Sequence, residues 1–268
     1  MRRLFFLLAL CLCHWVLGDA IQDRTLDRQL LTQLAATMGV ITKGDWEAET
    51  QRLWLRRPLQ ERWEMEELSE DKKQAVLSFA KDLGLIEAWQ PSCKSYDKAI
   101  ILGATTSVMQ RRLDYLKQLW EEGVSFREVV WLTGDRPLDK RVDGLMQECK
   151  NESEAARQLW CSAELPEAMR AIPVTFLATP LQKEGEGVRR PNTKDTLDAW
   201  LSKAVQPCRV LFISSQPFCG YQFSVIKACL PGAFEFDVVG YAATNPSAAT
   251  ILDSIARWLY QESFTGSL

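Results

Sequence analysis

Five short runs that are apolar on both faces, each followed by a stretch with helical spacing, constrain this chain more than any other feature. The runs are Lys98–Gly103 (KAIILG), Glu128–Thr133 (EVVWLT), Val174–Ala178 (VTFLA), Arg209–Ser214 (RVLFIS) and Phe236–Tyr241 (FDVVGY). A strand with two oily faces belongs inside a parallel sheet covered on both sides. The helical stretches are Val108–Glu122, Glu152–Ser162, Lys194–Val205 and Tyr221–Cys229, with Ser247–Tyr260 closing the series. Strand then helix, repeated in this way, predicts the α/β class: a three-layer, doubly wound, mostly parallel sheet of about five strands.

Ahead of the sheet, Ile21 to Trp89 is helical in pattern. Leu26, Leu30, Leu34 and Met38 recur at four-residue spacing before Gly39. Asp45 is placed to cap a second helix carrying Trp46, Leu53 and Trp54, which Pro58 interrupts. A third runs from about Ser69 through Ala75, Val76, Phe79 and Leu83 to Gly84. The chain therefore divides into a leader (1–18), a helical annex (19–92) and a sheet domain (93–268). Trp46, Trp54, Trp63 and Trp89 crowd the annex. They read either as a small helical core packed on the sheet domain or as a surface for a protein partner, since tryptophan is favoured in interface hot spots.

The leader reads as a secretory signal. Arg2 and Arg3 precede an apolar run, Leu4 to Leu17, broken only by His14, and Gly18 or Ala20 offers a small residue for cleavage. The run is shorter than the roughly 20 residues needed to cross a bilayer as a helix. The expectation is an exported protein, periplasmic or extracellular, with an uncleaved anchor as the alternative; once the signal is cut, no stable membrane span is expected. The only histidine, His14, leaves with the signal. Imidazole-based triads and histidine metal sites are then excluded, and no metal site is expected. Removing two arginines and no acid turns a net charge of −3 into −5. That balance, without a basic block, points away from nucleic acid.

Cys93, Cys149, Cys161, Cys208, Cys219 and Cys229 remain, an even count that invites disulfides in an exported chain. Local pairing fails on geometry. Cys219 and Cys229 lie at opposite ends of one helix, about 15 Å apart, whereas bridged Cα atoms need under about 7 Å. Cys149 and Cys161 flank another helix. Bridges must cross between elements, or these thiols are small core residues.

In a doubly wound sheet, ligands bind beyond the carboxyl ends of the strands. The first such loop, Gly103-Ala104-Thr105-Thr106-Ser107, opens a helix and reads as an anion site or as a hydroxyl-rich cap. It has neither dinucleotide-binding nor P-loop spacing. Thr133-Gly134-Asp135-Arg136 follows the second strand, where Asp135 suits a ribose or a cation, or simply a turn. The polar stretch Gln182 to Pro191 is a candidate lid, and Asn192-Thr193 after it is placed to cap a helix. Beyond the fourth strand, Ser214-Ser215 leads to Cys219 near a helix amino end, a setting that can activate a thiol. Asn151-Glu152-Ser153 is a glycosylation sequon, meaningful only in a chain that passes through an endoplasmic reticulum.

The order of these motifs resembles the YdcF/SanA/ElyC envelope family. The likeness is carried by Leu102-Gly103, Arg112-Leu113-Asp114-Tyr115 through Gly123, Thr133-Gly134, Ser153-Glu154-Ala155, Asn192-Thr193 and Ser214-Ser215, over about Lys98 to Gly240. Ala104-Thr105-Thr106 stands where that family is glycine-rich, its histidine position falls near Phe218, and its acid before Asn-Thr is matched by Glu186, one residue out of register. The resemblance implies a divergent envelope-associated protein with a Rossmann-like domain, and S-adenosylmethionine as a ligand by resemblance only.

Two functions follow from the residues. One is a pocket for a phosphorylated or nucleotide-like ligand, lined by Gly103, Thr105, Thr106, Arg112, Gly134, Asp135, Glu154, Asn192, Thr193 and Ser214. There Arg112 would clamp an anion, with Asp135 and Glu154 as acid/base groups or cation ligands. The other is a non-catalytic interaction protein that keeps the sheet as scaffold and binds through the annex. A thiol-dependent activity at Cys219 is a third reading.

Overall fold

The structure, a computed structural model, describes residues 25–40, 46–57, 60–144, 148–185 and 187–265. The leader with His14, the capping Asp45 and Glu186 lie outside these residues, as does the Trp46 side chain. Three helices form the annex: α1 (Arg28–Thr37), α2 (Trp46–Trp54) and α3 (Glu70–Asp82), with a single tight turn at Arg62–Glu64 before the last. The chain continues as β1 (Lys98–Leu102), α4 (Thr106–Glu121), β2 (Glu128–Gly134), α5 (Glu152–Ser162) and the short α6 (Glu167–Arg170). Then come β3 (Val174–Thr179), β4 (Gln182–Glu184), β5 (Gly187–Arg189) and α7 (Thr193–Leu201). The last elements are β6 (Arg209–Ser215), α8 (Cys219–Cys229), β7 (Glu235–Tyr241) and α9 (Ala248–Thr265).

Five strands pair in parallel in the order β3-β2-β1-β6-β7, a doubly wound sheet. Ile100 at its centre lies opposite Val130 on one side and Phe212 on the other. The order reverses between β1 and β6, so the connections after these strands diverge to opposite faces and leave a crevice above their ends. The stretch expected as a polar loop is instead an antiparallel hairpin, β4–β5.

β1, β2 and β6 are buried on both faces, as double-sided apolar runs require, whereas the edge strand β3, expected to be equally buried, leaves Thr175 and Ala178 exposed because no strand among the described residues covers its outer side. Met109, Leu113 and Leu116 of α4 and Leu159 of α5 pack with Ile101 and Trp131 on one face. The opposite face gathers Ile100 and Phe212 with Ile226 of α8 and Trp258 of α9, and this core continues into the annex through Leu31, Leu34 and Val76. Leu31, Leu34 and Leu85 are fully buried, and each contributes roughly 1.5–3 kcal/mol. Trp54 and Trp89 are buried in the same core, which removes both from any partner surface.

Local chemistry explains the annex boundaries. Asp27 caps α1 by accepting from the Gln29 and Leu30 amides at 2.8 and 3.1 Å. α1 and α3 run out at Gly39 and Gly84, whose φ of 72° and 69° suits a residue without a side chain. Trp89 pairs antiparallel with Gly240 on the free edge of β7, and the Gln216 side chain donates to Gly84 O and Glu87 O at 3.0 and 2.9 Å.

The disulfide expectation is corrected. Cys93, Cys149, Cys161, Cys208, Cys219 and Cys229 are all unbridged; Cys219 is buried while Cys161 lies on the surface. No helix among the described residues is long and apolar enough to cross a membrane.

Candidate functional site

A cavity of about 540 Å³ opens above the carboxyl ends of β1 and β2. Its floor is set by one carboxylate. Asn151 caps α5 through its side chain, which accepts from the Glu154 amide at 2.9 Å. That cap makes Glu152 the first helical residue and turns it inward over the strand ends. Glu152 accepts from the Gly134 amide at 3.0 Å and from Arg136 Nε at 3.1 Å. Its Oε1 occupies the space where a side chain at position 103 would begin: a Cβ on Gly103 would lie 2.0 Å from it. Glycine at the end of β1 is therefore a packing requirement of the carboxylate beside it.

Arg136 is buried between two acids. Besides Glu152, it donates through Nη1 to Asp143 Oδ2 at 2.7 Å and through Nη2 to Asp143 Oδ1 at 3.2 Å. Asp143 also accepts from the Thr106 amide at 2.8 Å. Burial works to raise the Asp143 carboxyl, but the Arg136 hydrogen bonds and the Asp139 and Thr106 amides outweigh it, so its pKa falls below the ordinary value. For Glu152 burial wins over Arg136 and Gly134, and its pKa is raised.

The opposite wall comes from the annex and α9. Arg56, Arg62 and Arg257 gather about Asp253, whose carboxylate is fully buried. Arg257 Nε bonds it at 3.1 and 3.0 Å, and the Arg56 amide donates at 3.2 Å. Arg62 Nε stays 3.9 Å away, with its guanidinium 4.0 Å over the Phe218 ring. Burial and the neighbouring Arg56 charge push the Arg62 pKa down to about 10. Burial and Arg257 likewise lower Arg56. Arg190, at the foot of the β4–β5 hairpin, pairs with Glu61, while Arg189 pairs with Asp195 at 2.5 Å. Six guanidinium groups line the cavity in all. Glu61, Glu152 and, behind them, Asp143 and Asp253 leave them an excess of two positive charges.

The polar satisfaction of the walls is one-sided. Among the described residues, Arg62 Nε, Trp63 Nε1 and Arg112 Nε are buried without a hydrogen-bond partner, and all three belong to residues lining this cavity. Each is a donor. Leaving such a group unpaired costs about 1–3 kcal/mol.

Of the residues expected at the site, Gly103, Thr105, Arg112, Gly134, Asn192 and Thr193 line the cavity. The others need correction. Asp135, just past the end of β2, is exposed and accepts from Asn151 Nδ2 at 2.6 Å, while the next residue, Arg136, is buried and lines the cavity. Glu154 is exposed as the third residue of α5 and accepts from the Lys150 amide at 2.8 Å. Thr106 is buried, and its amide, expected to hold an anion, already holds Asp143. Ser214 is buried and donates to the Gln222 side chain. Arg112, expected to clamp a ligand in bidentate fashion, donates through Nη1 to Leu102 O and Gly103 O at 2.6 and 3.0 Å, and through Nη2 to Ser215 Oγ at 3.1 Å. Nε is its one nitrogen without a partner among the described residues. Cys219 is fully buried at the start of α8 and is not among the residues lining the cavity.

Glu152, Arg136 and the annex arginines were the functional residues missed. One signal was present: Arg52, Arg56, Arg57 and Arg62 fall close together, interleaved with Trp54 and Trp63. Asn192 was rightly placed as a cap; its side chain accepts from the Asp195 amide at 3.1 Å.

No family of known proteins, no curated protein and no solved structure matches this chain. The S-adenosylmethionine implied by the motif resemblance does not fit these walls. It carries a sulfonium and an ammonium against one carboxylate, and a surplus of guanidinium groups opposes a net cation.

Proposed function

We propose that this chain is an exported, divergent YdcF-like α/β protein that binds a phosphorylated small molecule in the cavity above β1 and β2. The observation that carries the reading is the set of unpaired N–H donors at Arg62, Trp63 and Arg112, within a wall where Arg56, Arg62 and Arg257 share the single carboxylate of Asp253. Guanidinium and indole N–H groups suit phosphate oxygens, which accept and never donate when ionised. The volume falls within the roughly 300–1,000 Å³ of small-molecule sites. The floor acids do not favour acid/base chemistry, since Glu152 and Asp143 are both committed to Arg136. Binding is therefore the role assigned to the site. Export is supported by Arg2, Arg3 and the Leu4–Leu17 run.

Calorimetric titration with inorganic pyrophosphate tests the reading. Saturable binding is expected, and Arg62→Gln weakens it at least tenfold, as losing a charge-assisted hydrogen bond of about 1.5–3 kcal/mol requires. Asp135→Asn and Glu154→Gln, outside the cavity, leave the affinity within twofold. Absence of saturable binding to the folded wild-type chain overturns the proposal.

A further inference from the structure

A second hollow of about 530 Å³ adjoins the arginine cavity, between α2, α8, α9 and the start of α7. Asn192, Tyr221 and Arg257 line both, so the two spaces share a wall. Their chemistry differs. The second is walled by Leu55, Val225, Tyr221 and Tyr260, with the amide side chains of Gln51 and Gln261. Tyr260 is 53% exposed. Gln51 donates through Nε2 to Ala256 O at 2.5 Å, while its Oε1 is buried with no partner.

We propose that the two hollows form one bipartite site for a nucleotide, with the phosphates among the arginines and the base against the tyrosines. The inference rests on the anion reading above and adds the identity of the group that the phosphates carry. Bases stack on aromatic side chains regardless of sequence, and a basic groove beside an aromatic platform is how proteins hold them. An alkyl chain in the same hollow sets hydrocarbon against the Gln51, Gln261 and Asn192 amide side chains and against Lys194, which also lines it, whereas the polar edge of a base matches them.

The test compares ADP, inorganic pyrophosphate and dodecyl phosphate by calorimetric titration of the full chain. ADP is expected to bind at least tenfold more tightly than pyrophosphate, and Tyr260→Ala is expected to lower the ADP affinity about tenfold, towards that of pyrophosphate. Equal affinities for ADP and pyrophosphate in the wild-type chain overturn the base subsite and leave the anion reading standing. Binding of dodecyl phosphate more tightly than ADP overturns it in favour of an amphiphile. Failure of every probe to bind overturns both readings.

Discussion

Replacing Gly103 by alanine is the sharpest structural probe of this site. The added Cβ falls 2.0 Å from Glu152 Oε1, 2.9 Å from Leu132 O and 3.0 Å from Thr133 Cα. The two backbone atoms belong to β2 and give little, so the carboxylate moves. Moving it gives up the Gly134 amide at 3.0 Å and Arg136 Nε at 3.1 Å. At about 1.5–3 kcal/mol for each hydrogen bond to a charged group, the expected loss of stability is about 3–5 kcal/mol. Urea unfolding of Gly103→Ala, Glu152→Ala and the double variant measures it. Because both single changes break the same contacts, the double variant is expected to fall short of additivity by about 1–3 kcal/mol. Gly232→Ala is the control, since nothing lies within 4 Å of a Cβ there. If Gly103→Ala unfolds within about 0.5 kcal/mol of wild type, or the double variant is additive, the carboxylate does not hold the strand ends as described.

Two further outcomes are expected. Burial and the neighbouring Arg56 push the Arg62 pKa down to about 10, below the ordinary guanidinium range. A cation lowered in the fold is disfavoured there at every pH below about 10, and that penalty is relieved above it, so stability from this group does not fall on alkalinisation. Anion affinity does fall: pyrophosphate binding is expected to weaken several-fold between about pH 8 and pH 10.5, and to weaken far less in Arg62→Gln; equal pH profiles for the two contradict the assignment. For export, N-terminal sequencing of the chain recovered from the medium or periplasm is expected to begin just after Gly18 or Ala20, and recovery only of intact chain in the cytoplasm contradicts it.

The fold was legible because its signals are periodic and local. The run Arg209–Ser214 became β6 with one residue added, and Glu152–Ser162 is α5 without change. The site was only partly legible, and its errors are errors of register. Asn151 as cap makes Glu152 the inward residue and leaves Glu154, two positions on, in solvent. In the turn after β2, Asp135 is exposed and its neighbour Arg136 is the buried residue. Neither choice shows in a motif, because both depend on where a side chain points once the element has docked. The Thr106 amide is taken by Asp143, 37 residues away, and the Arg62 wall needs α9 to bring Asp253 to it. Such partners are set by packing of distant elements, with no local spacing to announce them. The hairpin β4–β5 escaped notice because its strands are too short to alternate visibly.

The pairing of Trp89 with Gly240 bears on how the molecule can be divided. Trp89 supplies amide and carbonyl to the outer margin of the sheet, its carbonyl also receives the Tyr115 hydroxyl at 2.9 Å, and its indole meets Trp258 edge-on at 6.2 Å. A fragment trimmed to begin at residue 93 keeps every strand yet frees the Gly240 amide and carbonyl on the sheet edge and leaves the Trp258 indole without its Trp89 neighbour, which enlarges the unpaired margin along which sheets can associate. The helical portion is thus as much a guard rail for the sheet as a wall of its pocket.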